Sequence, residues 1–214
     1  MLTIDWHAPW FSPWAKHGVA VLQAWQQHAD LPRALNAQRP VVQFVPQNTL
    51  PASTAYEAFI FEKNQVPTRE NAHDFFNGLC WLRFPHTKRR LNQLQAAAIA
   101  AQGIQATRGP VRDAATVFDE NAALLQAPEV LWQALAERRW HEAFVQMRPL
   151  WQEARWWTFG HAALEKLVRP YKSITAHVWR VPQGLQSMSA LDAWLAQDLQ
   201  VDKLARKPFC PMPV

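Results

Sequence analysis

Cysteine and glycine are both scarce in this chain of 214 residues, which contains two cysteines and six glycines. Two cysteines cannot supply a zinc ribbon or a haem-attachment motif, and they argue against a disulfide framework. So few glycines leave no place for a loop that cradles phosphate groups, and neither a G-x-G-x-x-G nor a Walker A motif occurs. The G-x-S-x-G motif of serine hydrolases does not occur either. The sequence therefore disfavours nucleotide-dependent chemistry.

Long apolar runs are also missing, since no window of about 18 apolar residues is available to cross a membrane. The N-terminus does not read as a signal peptide, because Asp5, His7 and Pro9 interrupt the region that would have to be apolar. We therefore expect a cytoplasmic protein without a membrane partner.

Large aromatic residues are abundant instead, with twelve tryptophans and eleven phenylalanines against two tyrosines. Apolar residues make up 49% of the chain and charged residues 18%, a balance typical of folded proteins with a substantial core. Sixteen prolines predict many short elements. The length favours one domain over residues 1–214, with an irregular N-terminal arm at 1–12 and an irregular proline-rich tail at 207–214.

The positive charge is moderate and spread along the chain. The formal net charge is +5, and the sharpest basic cluster is only three residues long, Lys88-Arg89-Arg90. A basic stripe that binds DNA is normally longer or recurs on one helix face. The charge pattern therefore disfavours nucleic acid as a partner without excluding it, and it is compatible with a small anionic ligand. The oligomeric state is left open.

Hydrophobic periodicity and proline positions predict an α+β fold with six or seven helices and four or five strands. Pro85 predicts a helix boundary at Phe84, and Gly103 is expected to end the following helix. The segment 122–126 reads as the return strand of a hairpin, with a short helix as the alternative. The main strands are expected at 41–45, 56–61, 114–118, 122–126 and 174–181, and the main helices at 71–84, 86–102, 128–138, 140–147, 160–168 and 189–199.

The first group of candidate site residues is His73, Asp74 and Asn77 on the central predicted helix. His73 and Asn77 share a helix face, and Asp74 and Asn77 meet at its edge. A histidine and a carboxylate beside an amide could act as a general base with its orienting partner, or as two metal ligands. The alternative is a polar helix start in which Asp74 complements the helix dipole and His73 faces solvent.

The next predicted helix carries Lys88 and Asn92 on one face, together with Gln95. These side chains could bind a phosphate or carboxylate of a substrate, with Arg89 or Arg90 assisting. The alternative is a solvated helix face.

A third polar group brackets the apolar run from Ala115 to Phe118. Its carboxylates, Asp113, Asp119 and Glu120, could bind a divalent cation such as Mg²⁺ or take part in acid–base chemistry, and Arg112 could bind a substrate anion. Alternatively, Arg112 and Asp113 form a structural salt bridge and 119–121 is a turn.

His161 and Glu165 follow one another at i and i+4 on a predicted helix, a spacing that metal sites often use. They are the tentative metal ligands, and His177 in the last strand is a candidate third ligand. A single histidine in a strand is more often a hydrogen-bonded core residue than a metal ligand.

Three strings together resemble an uncharacterised bacterial family known as a domain of unknown function: VPTRENAHDFFNGLCWLRFPHTKRRLNQLQ, GPVRDAATVFDENAALL and FGHAALEKLVRPYKSITAH. The resemblance covers residues 40–214 and implies that the three motifs belong to one domain. It further implies that family members continue past the final PMPV, which leaves open whether this chain is complete. The residues that match the family's motif positions are His73, Asp74, Asn77, Lys88, Asn92, Arg112, Asp113, Asp119, Glu120, His161 and Glu165.

The leading hypothesis is a small cytoplasmic hydrolase, in one version dependent on a divalent metal ion, whose polar site gathers the three motifs. His73, Asp74, Asn77, Asp119 and Glu120 would be the catalytic residues. The substrate-binding residues would be Lys88, Asn92, Arg112 and Asp113. The second hypothesis is a non-catalytic binding module for an anionic partner, either nucleic acid or a phosphorylated ligand. The third is a purely structural network of buried polar groups.

Overall fold

The computed structural model describes residues 2–103 and 109–213. Its α-helices run in chain order as α1 Ala15–His28, α2 Leu31–Asn36, α3 Tyr56–Lys63, α4 Ala72–Arg83, α5 Pro85–Gln102, α6 Pro110–Asn121, α7 Glu129–Ala136, α8 His161–Leu167, α9 Met188–Asp198 and α10 Val201–Ala205. Its strands are β1 Gln43–Pro46, β2 Gln65–Thr68, β3 Ala122–Gln126, β4 Arg155–Thr158, β5 Thr175–Val181 and β6 Cys210–Pro213. None of these helices is both long and apolar enough to reach across a bilayer.

The strands form two separate sheets. β1 and β2 pair in parallel, while the larger sheet has the order β4-β3-β5-β6. In the larger sheet β3 and β5 are parallel, and the two outer strands run antiparallel to their neighbours. The α+β class is therefore as predicted, but the described residues contain more helices than the six or seven expected, and their strands are divided between two sheets.

The central strand β3 is buried on both faces and contributes to two hydrophobic cores. Ala122 and Leu124 belong to the main hydrophobic cluster, which the N-terminal helices and α9 complete. Ala123 and Leu125 point to the other face and pack in a smaller cluster with Leu131 of α7. Side chains alternate between the faces of a strand, so a continuous apolar run is what a strand covered on both sides requires.

Capping residues, proline and glycine determine where α4 and α5 begin and end. The Asn71 side chain caps α4 by accepting a hydrogen bond from the backbone N–H of Asp74 at 2.8 Å. α4 ends at Arg83, and Phe84 leaves the helical conformation because the next residue is Pro85. Gly103 ends α5 with φ +70°, a conformation that other residues rarely adopt. The predicted boundaries at Phe84 and Gly103 are confirmed.

Two predicted strands are helices. The segment 56–61 lies in α3, which packs against α5 and is followed by Asn64 in the left-handed conformation. The segment 114–118 lies in α6, whose buried residues Ala114, Ala115 and Phe118 have helical spacing. The predicted hairpin is therefore wrong, and residues 119–121 are the last turn of a helix rather than a turn between strands.

Smaller corrections concern the C-terminal half. The tail 207–214 is not irregular throughout, because β6 pairs with β5. The predicted helix at 140–147 is a short π-helical segment, Glu142–Gln146. The start of α9 is capped by Ser187. Asp192 of α9 accepts hydrogen bonds from the backbone N–H groups of His86 and Thr87, at 2.9 and 2.8 Å, and so caps α5.

Candidate functional site

A cavity of about 290 Å³ lies where α3, α4, α6 and α8 meet. These helices come from segments far apart in the sequence, and each contributes polar side chains to the cavity wall. The cavity lining includes Tyr56, His73, Asn77, Asp119, Glu120 and His161.

Two imidazole rings occupy the middle of the site. Nε2 of His73 and Nε2 of His161 are 3.0 Å apart, and the ring planes are inclined by 81°. On its other side, Nδ1 of His73 lies 3.1 Å from Oε2 of Glu165. Nδ1 of His161 lies 3.7 Å from Oδ2 of Asp119 and has no hydrogen-bond partner among the residues that the structure describes. The two rings are thus flanked by one carboxylate each.

Lys88 lies at the buried end of this series of contacting polar side chains. Its ammonium group donates to both carboxylate oxygens of Asp119, at 2.5 and 2.8 Å, and to Oδ1 of Asn77 at 2.8 Å. The nitrogen also lies 5.5 Å from the centre of the Trp81 ring. Lys88 is only 4% exposed, so all three of its donors are used inside the protein.

Asn77 continues the chain to Tyr56. Because its Oδ1 accepts from Lys88, its Nδ2 is the atom that donates to the Tyr56 hydroxyl oxygen, at 3.3 Å. The hydroxyl hydrogen of Tyr56 is then free to point into the cavity that this side chain lines. Burial raises the pKa of Tyr56, so the hydroxyl keeps that hydrogen at neutral pH.

Electrostatic effects oppose one another at the centre of the site. Burial disfavours the ionised form of Asp119, but the neighbouring Lys88 ammonium and His161 hold the pKa of this carboxyl below its usual range. Burial lowers the pKa of His161 to about 4, although Asp119 pulls it in the other direction. At neutral pH, therefore, Asp119 is ionised and His161 is neutral.

Gly160 allows two of the helices to meet closely. A Cβ atom at this position would overlap the backbone of Glu120 and Asn121 at the end of α6. The missing side chain lets α8 begin directly against that helix end, which brings His161 beside Asp119. His161 and Glu165 are four residues apart on α8, so they lie on one face of that helix. His73 and Asn77 have the same spacing on α4 and share a face there.

The structure brings together most of the residues that the three motifs contribute. His73, Asn77, Lys88, Asp119, His161 and Glu165 form the chain of contacts described above, and Glu120 lines the same cavity. Asp74 also lines it, but its carboxylate binds the Arg69 guanidinium and accepts from the backbone N–H of Arg69 at 2.6 Å. Asp74 therefore holds the start of α4 in place.

Three predicted substrate-binding residues have other contacts. Asn92 donates to the backbone carbonyl of Glu57 at 2.7 Å and so joins α5 to α3. Arg112 lines a separate, largely apolar surface pocket beside Val201. Asp113 pairs with Lys207 at 2.5 Å rather than with Arg112.

The assignment of Lys88 as an anion-binding residue needs correction as well, because its three donors are already bound. Its neighbours in the basic cluster also have partners within the protein. Arg89 donates to the carbonyl of Val41 at 3.3 Å, and Arg90 donates to the carbonyl of Leu199 at 3.1 Å. The cluster Lys88-Arg89-Arg90 is therefore not an open basic patch.

The predicted metal pair, His161 and Glu165, also has to be revised. Glu165 contacts Nδ1 of His73 and His161 contacts Nε2 of the same ring, so the imidazole of His73 stands between them. The third candidate, His177, packs against the ring of Phe209 at 5.5 Å. Within residues 2–103 and 109–213, no group of three or more His, Cys, Asp or Glu side chains is arranged to share one metal ion.

Sequence reasoning missed Tyr56, Arg69 and Thr116, which all line the cavity. Tyr56 was hidden because its segment reads as a strand. Its rarity was a usable signal, since the chain contains only two tyrosines. For Arg69 and Thr116 the sequence offers no comparable sign.

Comparison with protein families matches residues 42–214 to the family described as a protein of unknown function, DUF3025. The chain belongs to this family. The match covers all three motifs and confirms the resemblance to a domain of unknown function, and the description assigns no activity to DUF3025. Comparisons with curated proteins and with solved structures gave no match.

Proposed function

We propose that this DUF3025 protein is a hydrolase whose attacking water is activated at the His73–His161 pair. The observation that carries the proposal is the arrangement of His73 between Glu165 and His161 at the wall of a cavity. A histidine oriented by a carboxylate is a common device for moving a proton to or from water at neutral pH. The His73 side chain is 36% exposed, so water can reach it.

The roles of the other residues follow from their contacts. Glu165 fixes the orientation of the His73 ring, and Lys88 fixes Asp119, which in turn lies beside His161. Tyr56 offers a hydroxyl hydrogen to the cavity and is suited to stabilise negative charge that develops on the substrate. These groups place a proton acceptor and a hydrogen-bond donor at the wall of one cavity, which general acid–base hydrolysis requires.

The charges around the cavity favour this proposal over a binding module for an anionic partner. Among the described lining residues are four carboxylates, Glu57, Asp74, Asp119 and Glu120, and one guanidinium, Arg69. Arg69 is paired with Asp74, and Lys88 is buried behind Asp119. A site for phosphate or nucleic acid would need the opposite balance.

The test is hydrolysis of a panel of chromogenic esters, amides, phosphoesters and glycosides by the wild-type protein and by His73→Gln. We expect turnover of at least one class and a loss of about 100-fold or more in kcat in the variant, the usual contribution of general acid–base catalysis. His28→Gln, which changes an exposed histidine at the end of α1, is the matched control. Turnover that survives in His73→Gln, or no turnover by the wild-type protein, contradicts the proposal.

A further inference from the structure

The contact between the two histidines depends on where their hydrogens lie. Oε2 of Glu165, 3.1 Å from Nδ1 of His73, can only accept, so this nitrogen carries hydrogen and Nε2 of His73 presents a lone pair. If His161 carries its hydrogen at Nε2, it donates to this lone pair across 3.0 Å. If it carries its hydrogen at Nδ1, which faces Asp119 at 3.7 Å, two Nε2 lone pairs face each other and a cation between them resolves the contact.

The geometry points to a divalent transition-metal ion, bound by Nε2 of His73 and Nε2 of His161. Two imidazole nitrogens that bind one ion at ~2.0–2.1 Å stand ~2.9–3.4 Å apart when the bond angle lies between ~90° and ~109°. The observed separation of 3.0 Å falls within this range. The remaining positions around the ion are open to water and substrate, because no third protein ligand of the usual kinds converges there within the described chain.

The outer contacts match those of metal-binding histidines. A histidine that binds a metal usually donates its other ring N–H to a carboxylate or a carbonyl, which fixes the ring and strengthens the metal bond. Glu165 serves His73 in this way, and Asp119 lies beside Nδ1 of His161. The ligand pair is thus His73 and His161, while Glu165, which the sequence suggested as a ligand, is a positioning residue.

The surrounding charge favours a cation. The four carboxylates of the cavity wall outnumber its one guanidinium, and Glu57 and Glu120 form no ion pair with any described residue. A ring of carboxylates concentrates cations in a cleft. Imidazole ligands select Zn²⁺, Co²⁺, Ni²⁺ or Cu²⁺ over Mg²⁺, which prefers oxygen.

Only the role of the bound ion in hydrolysis rests on the proposed function. An ion held by His73 and His161 would supply a bound water of lowered pKa as the nucleophile. Glu120 at the cavity wall would be placed to accept a proton from that water as its oxygen bonds to the substrate, and the leaving group of the cleaved bond would depart with a proton from solvent. Binding of the ion itself can be measured independently of any activity.

The experiment is calorimetric titration of the chelator-stripped full chain with ZnCl₂, together with visible absorption after addition of Co²⁺. We expect one Zn²⁺ per chain, a loss of affinity of ~100-fold or more in His73→Gln, and a loss of ~10–100-fold in Glu165→Gln, the usual effect of removing the carboxylate partner of a ligand histidine. His28→Gln should bind as the wild type does. Because His161 is buried and its replacement risks unfolding, His73→Gln and Glu165→Gln are the decisive variants.

Two results overturn the inference. One is Zn²⁺ binding that is equal in the wild type and His73→Gln, and the other is no binding at millimolar Zn²⁺, in which case a shared proton joins the two rings. Hydrolysis that persists in the stripped protein with chelator present overturns the chemical role given to the ion, while leaving the proposed hydrolase intact. Zn²⁺ binding at these histidines without any hydrolysis supports the metal site and contradicts the proposed function.

Discussion

Removing the Lys88 ammonium should be among the most damaging single changes near the cavity. In Lys88→Met, the side chain keeps its apolar length, but Asp119 loses both of its charge-assisted hydrogen bonds and Asn77 loses one. Breaking a buried ion pair by deleting one partner typically costs ~3–5 kcal/mol. The Asp119 side chain is 22% exposed to the cavity, so water replaces part of what is lost. We therefore expect the lower end of that range, about 3 kcal/mol.

A loss of this size is measurable by urea or thermal unfolding followed by tryptophan fluorescence or circular dichroism. For a chain of this length, 3 kcal/mol corresponds to a decrease in Tm of ~6–12 °C. The matched control is the double variant Lys88→Met with Asp119→Asn, which removes both charges together.

The double-mutant cycle separates the ion pair from simple packing loss. Because the uncompensated charge disappears in the double variant, we expect it to be more stable than the sum of the two single effects by ~2 kcal/mol or more. Additivity within ~0.5 kcal/mol, or a cost of Lys88→Met below ~1 kcal/mol, would refute the conclusion that the pair supports the site.

Two further predictions concern the geometry and the charge of the site. Gly160→Ala should lower the free energy of unfolding by ~1–3 kcal/mol, because the added methyl group overlaps the backbone at the end of α6. It should also reduce Zn²⁺ affinity by moving His161. The control is Gly184→Ala, at an exposed glycine with open space around it but with φ +94°, which separates the effect of close packing from that of backbone conformation. A free energy of unfolding that is unchanged in Gly160→Ala counts against the close-packing argument. The metal-free protein should lose stability as the pH falls from 6.5 towards 4, because the unfolded chain protonates His161 near pH 6.5 and the folded protein only near pH 4. The folded state binds fewer protons in this interval, so stability rises with pH, by up to ~3 kcal/mol from this residue. Urea unfolding at a series of pH values measures the slope, and an equal slope in His161→Gln would show that another group causes it.

Local signals in the sequence were sufficient where one or two residues decide the backbone. Pro85 cannot continue the hydrogen bonding of α4, and Gly103 can adopt the conformation that ends α5, so both boundaries were predictable. The segments 56–61 and 114–118 were not predictable in the same way. A short apolar run has the same composition in a buried strand and in a buried helix, and only the packing around it decides.

The membership of the site was easier to predict than the role of each residue. His73, Asp119 and His161 stand out because titratable side chains in apolar surroundings need partners. The role of Lys88 could not be inferred, because the sequence does not show whether a lysine on a helix faces solvent or a buried carboxylate. Arg112 and Asp119 illustrate the same limit, since both lie on α6 but line different pockets.

The capping of α5 by Asp192 has a consequence for how the protein opens. The amides of His86 and Thr87 are held by a carboxylate on a helix about a hundred residues further along the chain. Their exchange with solvent deuterium should therefore follow the detachment of α9 rather than the fraying of α5 alone. The first turn of α5 also carries Lys88, so one cooperative opening would release the cap, the lysine and the carboxylate that it holds. The stability of the cavity is thus set partly by α9, which contributes no residue to the cavity wall.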